Sequence, residues 1–282
     1  MRDSSDGSPA KVEFVYPSAT LAVSVTGNDC ALKCAHCGGH YLKGMVPAAR
    51  ALQTVERAKG RYMSCLVSGG CDRRGAVPVL NDESLLRGLK RAGLRLNFHT
   101  GIVNEDTAAG VAEWADCVSL DLVLDGETIR EVFGPTLRPE DFAASYESLA
   151  RRARVVPHVC LGLRGGSLRG ERLVLEYLAC DRRRPEHLVL IVFTPTEGTA
   201  FEHRMPPDPR EVGEYVALAG EMLPGTKLTL GCMRPRGRYR EQVDMQCLEA
   251  GIDGIVNPSP AAERRAREGG WRVLTKRECC AL

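Results

Sequence analysis

Short apolar runs alternating with amphipathic stretches along nearly the whole chain limit what it can become. Extended segments are expected at Thr20 to Thr26, Tyr62 to Ser68, Leu94 to His99, Cys117 to Leu122, Val155 to Leu161, His187 to Phe193, Lys227 to Leu230 and Ile252 to Val256. Between and after them the pattern predicts helices over Val46 to Lys59, Asp82 to Ala92, Asp106 to Trp114, Glu140 to Ala153, Arg169 to Leu178, Pro209 to Met222, Arg240 to Ala250 and Ala261 to Glu268. Asn81 is placed to cap the second of these, and Pro209 opens the sixth where a missing N–H costs nothing. Eight β-α units in series, without a repeat, a low-complexity linker or a break in composition, point to one (β/α)8 barrel. A doubly wound open sheet is the alternative, and in both the chemistry belongs at the C-terminal ends of the strands.

The first expected strand runs into Cys30-Ala31-Leu32-Lys33-Cys34-Ala35-His36-Cys37-Gly38-Gly39-His40, which packs three thiols into eight residues of a loop. A cubic 4Fe-4S cluster normally takes four thiolates, so three would leave one iron open to a substrate or cofactor. A zinc site with His36 or His40 as fourth ligand is the competing reading, although no second knuckle of that spacing occurs downstream.

Composition narrows the partners. The 282 residues carry 38 basic and 36 acidic side chains for a net charge of +2, with no long basic tract, so a nucleic-acid partner is not implied. The longest apolar run, Leu188 to Phe193, is far short of the roughly 20 residues of a membrane span. Met1 to Ala10 is small and polar rather than signal-like, and the expected location is the cytoplasm. In a reducing compartment twelve cysteines are better explained by metal or redox work than by disulfides. Cys117, Cys160 and Cys180 lie in or beside apolar runs and read as small hydrophobes. Cys71, Cys232, Cys279 and Cys280 lie in glycine-rich, charged or terminal segments and read as functional.

The alternation places Cys30, then Ser68-Gly69-Gly70-Cys71, then Gly231-Cys232-Met233-Arg234-Pro235 just past strand ends, on one rim. Glycines there let backbone approach a ligand. Asp121 and His158 fall on the fourth and fifth strands, as groups that meet a ligand or as satisfied polar groups of the wall. Arg234 offers a planar fork to a carboxylate, or a solvated surface charge. Cys71, Cys232 and the tail pair Cys279-Cys280 are enough thiols for a second cluster, with Cys65 or Cys247 as substitutes.

The three-then-two spacing resembles the signature of the radical S-adenosylmethionine (SAM) superfamily. That resemblance implies a radical SAM barrel of the TIM type, with residues 1–19 as an N-terminal extension, 20–270 as the barrel and 271–282 as a tail folding over its mouth. It implies that Cys30, Cys34 and Cys37 hold a 4Fe-4S cluster whose open iron chelates SAM, that His36 replaces the usual aromatic ring near the adenine, and that Gly69 and Gly70 contact SAM. Cys71 departs from the pattern, standing where an acid is usual. Together with Cys232 and the terminal cysteines, these motifs look like a subunit of the two-component lipoyl synthases in the biotin-synthase-like branch. That likeness implies sulfur insertion from an auxiliary 4Fe-4S cluster into an octanoyl-lysyl chain on a lipoyl-carrier protein. A sibling subunit and a reductant such as ferredoxin or flavodoxin would take part. The sequence assigns no acid-base catalytic set, as expected where the attacked carbon-hydrogen bond has no polar handle. A radical SAM enzyme without sulfur insertion and a plain Fe-S carrier are the alternatives.

Overall fold

The computed structural model describes residues 10–180, 182 and 184–282. It contains strands β1 (Lys11–Val15), β2 (Thr20–Ser24), β3 (Val46–Pro47), β4 (Ser64–Ser68), β5 (Arg95–His99), β6 (Cys117–Asp121), β7 (Val155–Leu161), β8 (His187–Val192), β9 (Lys227–Leu230), β10 (Gly254–Val256) and β11 (Arg272–Lys276). The helices are α1 (Ala48–Arg57), α2 (Glu83–Arg91), α3 (Glu105–Trp114), α4 (Gly126–Phe133), α5 (Pro139–Ala150), α6 (Glu171–Leu178), α7 (Pro209–Met222), α8 (Arg238–Glu249) and α9 (Pro260–Glu268). All eight expected strands and all eight expected helices are present, within a few residues of their expected ends.

The strands form one parallel sheet in the order β11-β1-β10-β9-β8-β7-β6-β5-β4-β2-β3. It is a partial TIM-type barrel, since no ladder pairs the β11-β1 edge with the β2-β3 edge among the described residues. The inner β4 and β6 to β8 are mostly buried on both faces, as parallel strands under helices must be. Helix α2 shows the local logic: Leu85, Leu86 and Leu89 share one buried face, each worth about 1.5–3 kcal/mol of burial. Its cap is Asp82, whose carboxylate accepts from Leu85 N at 2.9 Å, one residue beyond the expected Asn81.

Two expectations about the chain ends are corrected. Residues 1–9 of the expected N-terminal extension lie outside the described residues, but Lys11–Val15 is a sheet strand, paired with β10 and β11. Its five residues are too few for a periodicity signal, and its partners come last in the sequence. The tail does not fold over the mouth. It leaves β11 and enters the barrel from the opposite end, at the starts of the strands. Cys279 N donates to Thr20 Oγ1 at the first residue of β2, Arg95 at the start of β5 pairs with Glu278, and Ala281 O accepts from Cys117 Sγ at the start of β6. Tyr16 N and Ala19 N donate to Lys276 O and Arg277 O at 2.8 Å, so the tail also stitches the gap between β1 and β2. The cause is apolar burial: Cys280 and Ala281 pack on Val15, Val156, Val189 and Val256, filling the barrel base.

Candidate functional site

The three-thiol loop leaves β2 at Ser24 and is shaped by its backbone. Lys33, Gly38 and Gly39 have positive φ (44°, 52° and 82°), which turns the chain back so that Gly39 lies on Cys30. Ala35 N donates to Val132 O at 2.8 Å and Ala35 O accepts from Phe201 N at 3.2 Å, fixing the loop to both neighbouring walls. The donor atoms of Cys34, His36 and Cys37 lie within 4.8 Å of one another. A hydrogen bond from Cys34 holds the Cys37 thiol down to about 4 against its burial, with His36 adding to the effect, while Cys34 is pushed up in return. His36 Nδ1 is buried with no hydrogen-bond partner, and the ring stands edge-on to Phe133 at 6.3 Å. Of the two histidines offered as a zinc ligand, it is His36 that joins the thiols.

Strand β4 delivers Gly69 and Gly70 onto this loop. Gly70 N donates to Thr26 Oγ1 at 2.7 Å, and a side chain at Gly70 would run into the Asp29 carbonyl and approach the Cys30 Cβ to 2.6 Å. Cys71 O accepts from Ala31 N at 2.7 Å. Burial pushes the Cys71 thiol up to about 12, and Cys30, Asp121 and Cys37 push the same way.

Below the loop a cavity of about 390 Å³ runs through the barrel from Cys30, Cys34, Cys37 and Cys71 at the rim to Cys279 and Cys280 of the tail, with Cys232, just past β9, also in its wall. Its upper wall is apolar, with Leu42, Met45, Ile102, Phe133, Leu137 and Phe142. Across its middle, alternate residues of β5, β6 and β7 point inward. His99 Nε2 lies 3.3 Å from Asp121 Oδ2, and the His99 and His158 rings stack at 6.3 Å. His158 Nδ1 donates to Val156 O at 3.0 Å, which leaves Nε2 unprotonated in the neutral ring. Burial alone would raise Asp121, but His99, with His158 and His36 behind it, carries the carboxyl down to about 2. Burial lowers His158 to about 4, the Asp121 charge opposing. Burial would also lower His99, yet Asp121 outweighs it and the net shift is upward. Although deep in the barrel, the Asp121 side chain is 47% exposed, so the carboxylate faces open cavity.

At the floor, a hydrogen bond from Cys280 brings Cys279 down to about 6 against burial, with Ala281 N, Asn97 and Lys276 on the same side. Asn97 Nδ2 approaches Cys279 Sγ at 3.6 Å. Burial and then Cys279 raise Cys232, and Cys117 packs against Cys280 and Ala281. The structure therefore divides the thiols expected to form a second cluster. Cys232, just past the end of β9, is coupled electrostatically to the tail pair Cys279 and Cys280, but Cys71 faces the rim, and the thiol that packs beside the tail is Cys117. Neither expected substitute packs on the tail as Cys117 does: Cys65 is core, pushed up to about 12 by burial, and Cys247 is buried on α8.

The expectation that Arg234 grips a ligand carboxylate is also corrected. Its side chain is fully buried, with Nε on Asp244 Oδ1 at 2.8 Å, Nη1 on Gly231 O and Val256 O at 2.7 and 3.0 Å, and Nη2 on Asn257 O at 3.2 Å. This guanidinium ties the ends of β9 and β10 together. The sequence reading missed Asn97, His99, Ser119, Cys117 and Cys160. The signal was there in the period-two recurrence of polar residues within apolar strands, as in Cys117-Val118-Ser119-Leu120-Asp121.

No protein-family model matches the chain. It is 25% identical over 263 residues to biotin synthase of Synechococcus sp. strain CC9311, covering 86% of this chain and 79% of that one. With biotin synthase of Synechococcus sp. strain WH7803 it shares 28% identity over 245 residues, 83% of this chain and 74% of that one. Among solved structures it superposes on methylornithine synthase (PylB) with a TM-score of 0.64 at 14% identity, covering 93% of this chain and 83% of that one. With SAM-bound SuiB of Streptococcus suis the TM-score is 0.58 at 15% identity, over 80% of this chain and 52% of that one. The chain is thus similar in sequence to biotin synthases and shares its fold with methylornithine synthase and SAM-bound SuiB.

Proposed function

We propose that the chain is a radical SAM enzyme that inserts sulfur into an unactivated carbon chain held inside the barrel. The observation that carries this reading is one continuous cavity with a three-thiol loop at its rim and a separate group of thiols at its floor. Cys30, Cys34 and Cys37 would hold a 4Fe-4S cluster, and the residues fit: the donors of Cys34 and Cys37 converge with His36, Cys30 lines the same cavity, His36 Nδ1 is buried without a partner, and Gly70 lets the β4 segment approach Cys30 closely. With SAM bound, that cluster supplies the electron that makes a hydrogen-abstracting radical. Cys232, Cys279 and Cys280, with Cys117 as the fourth thiol, would hold an auxiliary cluster as the sulfur source. Arg154, whose Nη1 donates to Ala281 O at 2.6 Å, and Lys276 place positive charge beside these thiols.

The chain's other residues bind and shield. Asp121, held ionised by His99, presents a hydrogen-bond acceptor halfway down, and the apolar upper wall excludes water from the path between rim and floor. Among the described lining residues there is no lysine or arginine, which favours a neutral alkyl or acyl chain over one ending in a free carboxylate. An octanoyl-lysyl chain on a lipoyl-carrier protein meets that description. A sibling subunit would place the other sulfur, and ferredoxin or flavodoxin would supply electrons.

The likeness to biotin synthase favours a second reading, a radical SAM enzyme of that general type acting on another substrate without sulfur insertion. Iron and sulfide counts after anaerobic reconstitution separate the two. About eight irons per chain, with thiolation of an octanoyl-lysyl peptide, support the first, and about four irons with deoxyadenosine formation alone support the second. A Cys30, Cys34, Cys37 triple alanine variant that still cleaves SAM would overturn both.

A further inference from the structure

Resting on the assignment of the rim cluster to Cys30, Cys34 and Cys37, we propose that Cys71 is a fourth, displaceable ligand of that cluster, closing its open iron until SAM takes the place of the thiolate. Cys71 is fixed to the loop by its backbone. Gly70 lies so close to Cys30 that even a methyl group would overlap it, and the next residue's carbonyl accepts from Ala31 N at 2.7 Å and Leu32 N at 3.4 Å. Two consecutive residues thus hold Cys71 against the strand of chain that carries the first thiol. Its side chain lines the same cavity as Cys30, Cys34 and Cys37.

Cys71 thus adds a fourth thiol to the three of the loop within one cavity, and four thiolates are the usual complement of a cubic cluster. Gly70, with no side chain, lets the β4 segment lie against Asp29 and Cys30.

The exchange is redox-neutral and balances. With the cluster bound, Cys71 would give up its bond to iron, and the amino nitrogen and a carboxylate oxygen of SAM would take its place. The amino group arrives as an ammonium and must lose a proton to bind, and the departing Cys71 thiolate gains one. No electron leaves the cluster in this step, so the closed state protects the open iron without consuming reductant.

The test compares reconstituted full-length protein with its Cys71→Ser and Cys71→Ala variants, each checked by circular dichroism for an unchanged fold. Without SAM, mild ferricyanide oxidation should strip one iron from the variants, giving the electron paramagnetic resonance signal of a three-iron cluster, while the wild type resists. SAM binding measured by equilibrium dialysis should be about tenfold tighter in the variants, because no closed population must be opened first. Equal loss of iron in all three proteins overturns the proposal. So does weaker SAM binding with unaltered oxidation, which would make Cys71 a SAM contact. A Cys30→Ala protein that keeps the same three-iron signal would instead defeat the rim-cluster assignment beneath it.

Discussion

Replacing Gly70 by alanine tests whether close approach of the β4 loop is what sets the position of Cys30. The new methyl would overlap the Asp29 carbonyl oxygen and lie 2.6 Å from the Cys30 Cβ and 2.7 Å from its Cα. Two of these three obstacles are backbone atoms, which cannot swing aside as a long side chain can. Overpacking of this kind costs about 1–3 kcal/mol, and the rigid neighbours put Gly70→Ala near the top of that range. For a chain of this size about 3 kcal/mol lowers Tm by roughly 6–12 °C. If the loop yields instead, Cys30 must move, and stability is kept at the expense of the donor set. Both routes lower iron uptake by the rim site. Gly44→Ala is the control, since it lies in the connection that carries Cys30, has nothing within 4 Å of the added methyl, and has no positive φ. Melting curves of the apoprotein and iron counts after reconstitution read the two effects separately. If Gly70→Ala took up as much iron as the wild type and melted at the same temperature, the steric account of Cys30 would be wrong.

Removing residues 278–282 should lower iron from about eight to about four per chain and abolish thiolation of an octanoyl-lysyl peptide, while deoxyadenosine still forms; retained thiolation would remove the tail from the sulfur source. Asp244→Ala strands the fully buried Arg234 guanidinium and should cost about 3–5 kcal/mol in urea unfolding, and a loss below about 1 kcal/mol would contradict a structural role for this pair. His187 is buried and bonded to Thr229 Oγ1 at 2.8 Å, and burial, followed by the charge of Lys227, drives it down to about 3. Between its ordinary value of about 6.5 and that value the unfolded chain takes up a proton that the folded chain refuses, so this stabilisation is complete above pH 6.5 and is lost as the pH falls toward 3. His187→Gln, which can keep the Thr229 bond but does not titrate, should therefore lose about 2 kcal/mol less than the wild type between about pH 7 and pH 5, and identical losses would exclude His187 as the source.

The alternation of eight β-α units was readable because each is long enough to show its period, and the three-thiol loop because its spacing is itself the signal. Strands β1, β3 and β11 were not, being short, edge-located or half-exposed, with pairing decided by partners far away in sequence. Helix α4 hid in what looked like a loop, although Asp125 caps it through Thr128 N at 2.8 Å. The thiols show the same limit. Sequence order grouped Cys71 with the other cysteines at strand ends and left Cys117 among small hydrophobes. Only the path of the tail through the base reveals that Cys117 has company and that Cys71 keeps other company. For Arg234 the residue type suggested an anion site, whereas Asp244, on the following helix, already occupied the guanidinium.

The pairing of β1 bears on the order in which the molecule can be assembled. Its two neighbours, β10 and β11, are the last strands of the sheet, so β1 gains nothing from its own surroundings until almost everything after it is in place. Contacts between such distant segments carry a large loop-closure cost before they return any stability, and sheets built this way form slowly. During that interval the base of the barrel is unsealed and Cys117, Cys279 and Cys280 are open to solvent. Their exposure to oxidants and stray metal ions is therefore greatest on the folding pathway and smallest in the native state. Refolding yield should accordingly depend on the redox state of the medium even though the finished protein buries Cys117 and Cys280.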